Sequence, residues 1–236
     1  MSMPLPNEAT TGDDRRQSLT DRSYALIKSD IIRCVLPPGE VVTEEQLARR
    51  YDVGRPAARA AVQRLTQEQL IEISGKRYVI APVTLKDVRD LYAVRLVLEP
   101  LAAWDAAGRL TLAQLQRLTE LLDVHYELGN RESLAVYACG CTEFHVLIAQ
   151  AAGNGFLTEV IGRINDRLER LNHLSHMRRN RSEVTRNWHR ELVDALSGED
   201  AERAQQVMAD HIIDSRDHVV TALLNSPSVQ SVHITG

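Results

Sequence analysis

The chain has 236 residues, of which 44% are hydrophobic and 25% charged, and its formal net charge is −4. This composition is typical of a globular protein and excludes a chain too polar to form a core. No run approaches the ~18 apolar residues of a membrane span. Three cysteines form no disulfide framework, so we expect a cytoplasmic protein without a membrane partner.

Both ends of the chain and its first helix can be predicted from local composition. Residues 1–17 are polar and lack the apolar core of a signal peptide, which predicts a disordered tail. A second tail is expected over 227–236. A helix is predicted over 19–34, because Tyr24 and Ile27 begin an apolar stripe at helical spacing. The Leu-Pro-Pro-Gly sequence that follows ends this helix.

Residues 43–82 predict a helix, a tight turn, a second helix and a β-hairpin. Thr43 begins the first helix with a capping-box pattern, and residues 52–54 turn the chain sharply. Short strands are predicted at 71–73 and 78–80. The second helix has two stripes at helical spacing, roughly opposite each other. The apolar stripe contains Ala58, Ala61, Val62 and Leu65, and the polar stripe contains Arg55, Arg59, Gln63 and Thr66.

The charge distribution supports a nucleic-acid interface in this region. Residues 15–82 contain twelve basic and eight acidic side chains, an excess of four positive charges, so the rest of the chain carries −8. A basic module joined to an acidic domain is typical of a DNA-binding regulatory protein. The alternative is a solvated arginine face on an ordinary helical hairpin. The candidate DNA-binding residues are Arg49, Arg55, Arg59, Gln63, Lys76 and Arg77.

After residue 82 the strand signals stop and the predicted fold is an all-α bundle of six helices. Thr84 with Asp87 begins the first of them, and Gly108 ends it. The predicted helices cover 85–107, 111–129, 131–152, 154–179, 182–197 and 200–224. The fold class is therefore mainly α. We predict a winged helix-turn-helix domain over 18–82 and a helical domain over 83–226.

At this point the chain resembles the GntR family of transcription regulators, in the FadR subfamily with a C-terminal FCD ligand-binding domain. The resemblance extends over nearly all of residues 19–224. The motifs that carry it are Leu36-Pro37-Pro38-Gly39-Glu40, Val53-Gly54-Arg55-Pro56, Tyr92 to Glu99 with Arg95 between them, Glu143-Phe144-His145, Ala151 to Asn154, Trp188 to Leu192, and Met208 to His211.

This sequence departs from the family pattern around the second helix of the DNA-binding domain. Gly54 stands where the family usually has Ser, Ala60 where an acidic residue is common, and Gln69 where Gly is common. Pro56 lacks the amide that a side-chain cap at Gly54 would satisfy, so these two residues are mutually consistent. Pro56 also removes one donor to a DNA phosphate.

The resemblance implies a metal site in the helical domain. FCD domains often hold a metal ion with an Asp and three His, and the matching residues here are Cys141, His145, His189 and His211. Thiolate and imidazole are zinc ligands, so Zn²⁺ is the expected ion, with another divalent transition metal as the alternative. Two other possibilities stay open: three His plus water with Cys141 as a small buried residue, or a metal-free pocket whose histidines bind the effector.

Arg95 lies within an apolar helical run and therefore needs an anion. Its partner is either Glu99, one turn later, or the carboxylate of an effector, which Arg can bind bidentately. Tyr92 shares this face and is expected to line the pocket. Four further histidines are predicted to lie at the surface, and they are His125, His173, His176 and His218; a pocket role is the less favoured alternative for His173 and His176.

We therefore predict a ligand-responsive transcription regulator, with repression favoured, that responds to a small organic acid. One module buries too little surface for tight DNA binding, so a homodimer on a pseudo-palindromic double-stranded operator is expected. A metal-dependent enzyme that uses the Cys/His cluster is the alternative from another class. No HExxH motif or glycine-rich phosphate loop supports it. A DNA-binding protein with a ligand-free second domain is a further alternative.

Overall fold

The structure, a computed structural model, describes residues 19–75, 77–177 and 179–225. Both predicted tails and the predicted wing residue Lys76 lie outside the described residues. The protein is mainly helical, as predicted, with one small antiparallel sheet near its N-terminal end.

Helices α1 (Leu19–Ile32), α2 (Glu44–Arg50) and α3 (Arg55–Gln67) form the first half of the winged helix. The capping box of α2 is confirmed, because the Gln46 amide donates to the Thr43 hydroxyl at 3.1 Å. Helix α1 ends two residues before the predicted position, since Cys34 adopts a left-handed φ of 54°. The buried stripe of α3 is also confirmed and packs against α1; its members are Ala58, Ala61, Val62 and Leu65.

The wing is a three-stranded sheet rather than a simple hairpin. Strands β2 (Ile71–Ser74) and β3 (Arg77–Ile80) pair as predicted, with Ser74 opposite Arg77 at the turn. An additional strand, β1 (Val41–Val42), pairs with the other edge of β3. The sequence prediction missed β1 because two residues carry no alternation pattern, and its partner lies far along the chain.

Six helices form the rest of the described chain, which confirms the predicted bundle. They are α4 (Leu85–Ala106), α5 (Leu112–Leu121), α6 (Arg131–Ala151), α7 (Gly155–His176), α8 (Ser182–Ser197) and α9 (Ala201–Leu224). Thr84 and Asp87 form the predicted capping box of α4. Helix α4 packs most extensively against α9, and α6 packs on both α4 and α7.

The prediction for α5 was wrong at its C-terminal end, which lies at Leu121 rather than near Gly129. Tyr126 explains the difference, because its side chain is buried and its hydroxyl contacts three distant backbone groups. That hydroxyl donates to the Arg179 carbonyl at 2.9 Å and accepts from the Arg181 amide at 3.1 Å. Such tertiary contacts override local helix propensity.

Helix α6 would suit a membrane span by length and composition, with a mean hydropathy of 1.3. However, 56% of that apolar stretch is buried inside the protein, as in a core helix of a soluble fold. Phe144 and Ile148 of α6 belong to the main core cluster together with Val88 and Tyr92 of α4. The apolar character of α6 is therefore used in packing the bundle.

Candidate functional site

Helix α3 presents an exposed polar face on the side opposite its buried stripe. The structure brings Arg55, Arg59 and Gln63 together on this face, and the side chains of Arg55 and Arg59 are 71% and 67% exposed. Arg77 at the start of β3 and Arg49 at the end of α2 are also exposed. These residues form a basic surface that a large anionic partner can reach.

The two recognition-helix arginines contact glutamates at the start of α2. Arg55 lies 3.1 Å from Glu45, and Arg59 lies 3.7 Å from Glu44. Glu44 also accepts a hydrogen bond from the Tyr78 hydroxyl of the wing at 3.1 Å. Exposed pairs of this kind contribute little to stability, so a phosphate or a base edge can displace the glutamates. The acidic side chains orient the arginines without holding them tightly.

The start of α3 has the unusual cap that the sequence predicts. Gly54 is the N-cap and provides no side-chain hydrogen bond, and proline stands within the first turn at Pro56. An exposed helix start without a side-chain cap leaves its free amides available to solvent or to an anion.

The helical domain brings three histidines from three helices to one point. His145 lies on α6, His189 on α8 and His211 on α9, and one ring nitrogen of each lies within 4.8 Å of the others. All three are buried, with 4–5% of their surface exposed. His189 stacks on Phe144 at 3.8 Å between ring centroids, which fixes the plane of its ring.

Glu99 of α4 orients the first of these histidines. Its Oε2 lies 2.6 Å from His145 Nδ1, and its Oε1 accepts from Arg95 Nε at 2.5 Å. Burial acts to raise the pKa of Glu99, but Arg95 and His145 hold that pKa well below its usual range. A carboxylate at Nδ1 favours the tautomer with its proton there and turns Nε2 toward the cluster. His145 Nε2 indeed faces His211 Nε2 at 3.3 Å.

The residues present fit a divalent metal ion. Among the described residues, His189 Nε2 and His211 Nδ1 are buried and have no hydrogen-bond partner. Burial, together with the neighbouring cationic groups, lowers the pKa of both His189 and His211 well below 6.5. Neutral imidazoles with unpaired nitrogens are the form in which histidine binds a metal.

Cys141 does not join this group, contrary to the predicted four-ligand set. It lines the same cavity, but the set of mutually close donor atoms contains the three histidines alone. Burial raises the pKa of the Cys141 thiol to about 12. Of the open possibilities, the geometry favours three histidines with Cys141 in the wall.

A cavity of about 510 Å³, including its opening to solvent, extends from the three histidines. His176 and His218 line it and His173 is 1% exposed, so the prediction that these residues lie at the surface was wrong. Packing of α7 against α9 turns His176 and His218 toward the cavity, which local spacing does not reveal. His125 is exposed, as predicted.

The two residues predicted to bind the effector are both buried, and they have protein partners. Of the two partners considered for Arg95, the structure provides Glu99, although Arg95 also lines the cavity. Tyr92 does not reach the cavity wall. Its ring lies beneath the Arg95 guanidinium, and its hydroxyl is 3.0 Å from Ser215 Oγ.

Helix α7 connects the cavity to the winged helix. Its residues Asn172 and His176 line the cavity, whereas Arg170 points to the other side. There the buried Arg170 donates from Nη2 to the Ala81 carbonyl at 2.6 Å, just before α4. Cys34, two residues after the end of α1, has its sulfur 4.0 Å from the Arg170 carbonyl. A displacement of α7 would therefore move the backbone around Ala81 and Cys34, at the base of the winged helix.

Comparison with known proteins places this geometry in a family context. Residues 19–78 match the family model described as bacterial regulatory proteins, gntR family, and residues 90–214, more than half of the chain, match the FCD domain. The HTH-type transcriptional repressor RspR of Escherichia coli (strain K12) is 23% identical over 197 residues, covering 83% of this chain and 86% of that protein.

Two further proteins give the same result. An uncharacterized HTH-type transcriptional regulator of Bacillus subtilis (strain 168), YdhC, is 25% identical over 200 residues, covering 83% of this chain and 88% of its own length. The solved structure of E. coli McbR/YncC superposes with a TM-score of 0.68 at 21% identity, over 86% of this chain and 98% of that one. The structural likeness supports the two-part fold.

Proposed function

Because the chain belongs to the bacterial GntR family of regulators and carries an FCD effector-binding domain, it is a DNA-binding transcription regulator and not an enzyme. We propose that it binds a pseudo-palindromic operator as a homodimer, and that a small organic acid in the cavity beside a bound metal ion changes its affinity for that operator. The observation that carries the proposal is the combination, in one chain, of an exposed arginine face on α3 and a buried cavity with three converging histidines.

DNA recognition rests on α3 in the major groove. Arg55 and Arg59 can each bind a guanine bidentately, which is worth about 1–3 kcal/mol of discrimination, and Gln63 extends the same face. Arg77, with Lys76 beside it in sequence, contacts the flanking minor groove or its phosphates, and Arg49 contacts the backbone. Because Pro56 has no backbone N–H to donate to a phosphate, these side chains supply more of the contacts that position the protein on DNA.

Dimerisation is supported by the outward face of α4. This helix carries apolar residues on every side, whereas a surface helix normally has a polar face. Its outward stripe lies opposite the core at helical spacing and is exposed; the members are Val94, Val97, Leu101 and Trp104. A second copy of the chain would cover this stripe by an isologous contact.

His145, His189 and His211 would hold the metal ion, with Glu99 orienting His145. Three imidazoles suit Zn²⁺ and other divalent transition metals. When bound there, such an ion would supply positive charge that attracts a carboxylate oxygen. Arg95 stabilises the charge of Glu99, and Cys141 forms part of the wall.

The response to the acid passes through α7. Asn172 and His176 contact the cavity, and Arg170 on the same helix binds the Ala81 carbonyl beside the winged helix. An acid that fits one position of α7 better than another shifts the equilibrium between two arrangements of the winged helices. Operator affinity then changes by the differential affinity of the acid for these arrangements.

The test begins with operator DNA selected from a random duplex library by the full-length protein. Arg59→Ala should lose selectivity for the selected duplex by roughly 5–150-fold, the range that corresponds to 1–3 kcal/mol. Arg64→Ala is the matched control, because Arg64 lies on α3 but stacks on Tyr24 of α1 at 3.6 Å. An unchanged footprint for Arg59→Ala would contradict the proposal, as would operator affinity that no small carboxylic acid alters.

A further inference from the structure

One carboxylate of the DNA-binding surface is shared by two of its arginines. Glu45 Oε1 lies 3.3 Å from Arg49 Nη2 on the same helix and 3.1 Å from Arg55 Nη2 at the start of α3. All three side chains are more than half exposed, so they lie where a DNA duplex would contact them. The two arginines therefore present less positive charge to DNA than two unpaired guanidinium groups would.

The start of α2 does not use this carboxylate as its cap. The Gln46 amide donates to the Thr43 hydroxyl, and the Gln46 side chain accepts from the Thr43 amide at 2.9 Å, which completes the capping box. The neighbouring Glu44 accepts from the Tyr78 hydroxyl of the wing and is only 28% exposed. Glu45 thus directs its carboxylate to arginines of the DNA-binding surface rather than to the helix backbone or the wing.

The pairing opposes binding to DNA of arbitrary sequence. Non-specific affinity arises when arginine and lysine side chains neutralise phosphates and release counterions. A phosphate that replaces Glu45 beside Arg49 or Arg55 exchanges one anion for another and gains little. The displaced carboxylate then lies close to the negatively charged backbone, which repels it. A repulsive group of this kind lowers affinity for the wrong partner and so contributes to specificity.

Recognition of a guanine loses less from the same pair. A guanidinium group has five N–H donors, and a bidentate contact with guanine O6 and N7 uses two of them. Arg55 can therefore bind a guanine while it remains paired with Glu45. The pair also restricts the directions that the long Arg55 side chain can take, and a side chain that is oriented before binding loses less entropy in the complex.

We propose that Glu45 is a specificity-determining residue of the DNA-binding surface. Its carboxylate lowers the affinity for arbitrary duplex through Arg49 and Arg55, and it orients Arg55 for a base. Glu45 acts through these arginines and is therefore a positioning residue. This inference rests on the proposed function, since it takes α3 to be the helix that reads the operator.

The test compares Glu45→Gln with the wild-type full-length protein by fluorescence anisotropy, on the selected operator and on a scrambled duplex of equal length. The substitution keeps the size of the side chain and removes its charge. At about 0.15 M salt, affinity for the scrambled duplex should rise about fivefold per bound winged helix, the contribution of one further neutralised phosphate. The slope of log affinity against log salt concentration should steepen by about 0.9 for each bound winged helix. Operator affinity should change less than about twofold, because the guanine contact of Arg55 is kept.

Asp21→Asn is the matched control, because it removes one negative charge from the same domain. Asp21 is 52% exposed and pairs with Arg64 at 3.5 Å, and Arg64 stacks on Tyr24 of α1, away from the polar face of α3. This variant should bind both duplexes as the wild-type protein does. In a background with Arg49→Ala and Arg55→Ala, the gain caused by Glu45→Gln on the scrambled duplex should at least halve.

The outcomes separate this inference from the proposed function. Unchanged affinity of Glu45→Gln for the scrambled duplex, or an equal gain on both duplexes, would overturn the role of Glu45 alone. A similar gain for Asp21→Asn would also overturn it, since the effect would then follow net charge, and so would a full gain without Arg49 and Arg55. The proposed function fails separately, if Arg59→Ala retains selectivity for the operator.

Discussion

Both parts of the molecule pair an arginine with a glutamate, but the two pairs lie in opposite environments. In the winged helix, Arg59 and Glu44 are 3.7 Å apart, and their side chains are 67% and 28% exposed. In the helical domain, Arg95 and Glu99 are 2.5 Å apart, and their side chains are 4% and 2% exposed. Water screens the first pair and barely reaches the second.

Because they differ in burial, the two arginine–glutamate pairs have different roles. An exposed pair can exchange its glutamate for a phosphate or a base at little cost, as a DNA-reading arginine must. A buried pair cannot exchange partners without leaving a charge in low dielectric, so it fixes the positions of the groups around it. Arg95 and Glu99 thereby fix His145, and through it one corner of the three-histidine group.

The largest expected effect comes from breaking the buried pair. Arg95→Leu leaves the Glu99 carboxylate buried with its main partner removed, and should lower the free energy of unfolding by about 3–5 kcal/mol. Urea denaturation followed by circular dichroism measures this change. Arg117→Leu is the control, because Arg117 pairs with Glu143 at 2.7 Å on the surface.

The control variant should lose far less stability than Arg95→Leu, because water screens an exposed pair. Similar losses for Arg95→Leu and Arg117→Leu would remove the contrast between buried and exposed pairs.

A milder substitution at the same pair tests whether Glu99 supports metal binding through His145. Glu99→Gln keeps the shape of the side chain but weakens its hold on His145 Nδ1–H, so zinc affinity should fall about 10–100-fold. Competition with a chromophoric chelator measures the affinity. Glu143→Gln, two positions from His145 in sequence but at the surface, should leave it unchanged. Equal zinc affinity for the wild-type protein and Glu99→Gln would contradict a positioning role for Glu99.

The connection between the two regions is tested at Arg170. Arg170→Met retains most of the side-chain volume but removes the hydrogen bond to the Ala81 carbonyl. Acid binding should stay within about twofold of wild type, while the change in operator affinity caused by the acid shrinks by about 0.5–2 kcal/mol. Fluorescence anisotropy with and without the acid measures both quantities. Arg167→Met, exposed on the same helix, should respond as wild type; full coupling in Arg170→Met would exclude this route.

The smallest expected effect concerns the turn at Gln69, which connects α3 to the first strand of the β2–β3 hairpin. Gln69 has a left-handed φ of 60°, at the position where the family commonly has Gly. Gln69→Gly should stabilise the protein by about 0.5–1 kcal/mol, because relief of left-handed strain exceeds the entropy cost of glycine. Gln67→Gly, at the last residue of α3, should instead destabilise the protein by up to about 1 kcal/mol. The same sign for both variants in thermal unfolding would contradict this account of the turn.

The sequence predicted what depends on local spacing. The buried stripe of α3, the capping boxes at Thr43 and Thr84, and the one-turn separation of Arg95 and Glu99 all follow from helical periodicity. It also predicted that residues on α6, α8 and α9 converge, through family resemblance rather than spacing. His145, His189 and His211 meet as that resemblance implied.

The rest depends on packing between distant segments. The two-residue strand β1 exists because β3 offers it an edge, and α5 ends early because Tyr126 is drawn into the interior. His176 and His218 face the cavity because α7 and α9 meet there, and Cys141 stays outside the donor set although it lies one turn from His145. No local pattern encodes these distances.

The central claim is that the buried histidines form a metal centre, and native mass spectrometry tests it most directly. After treatment with a chelator and reloading with zinc, the wild-type chain should retain one ion. His125→Ala, at an exposed histidine, should retain it too, whereas His189→Ala should lose it while remaining folded by circular dichroism. A reloaded wild-type chain without zinc, or equal occupancy in His189→Ala, would contradict the claim.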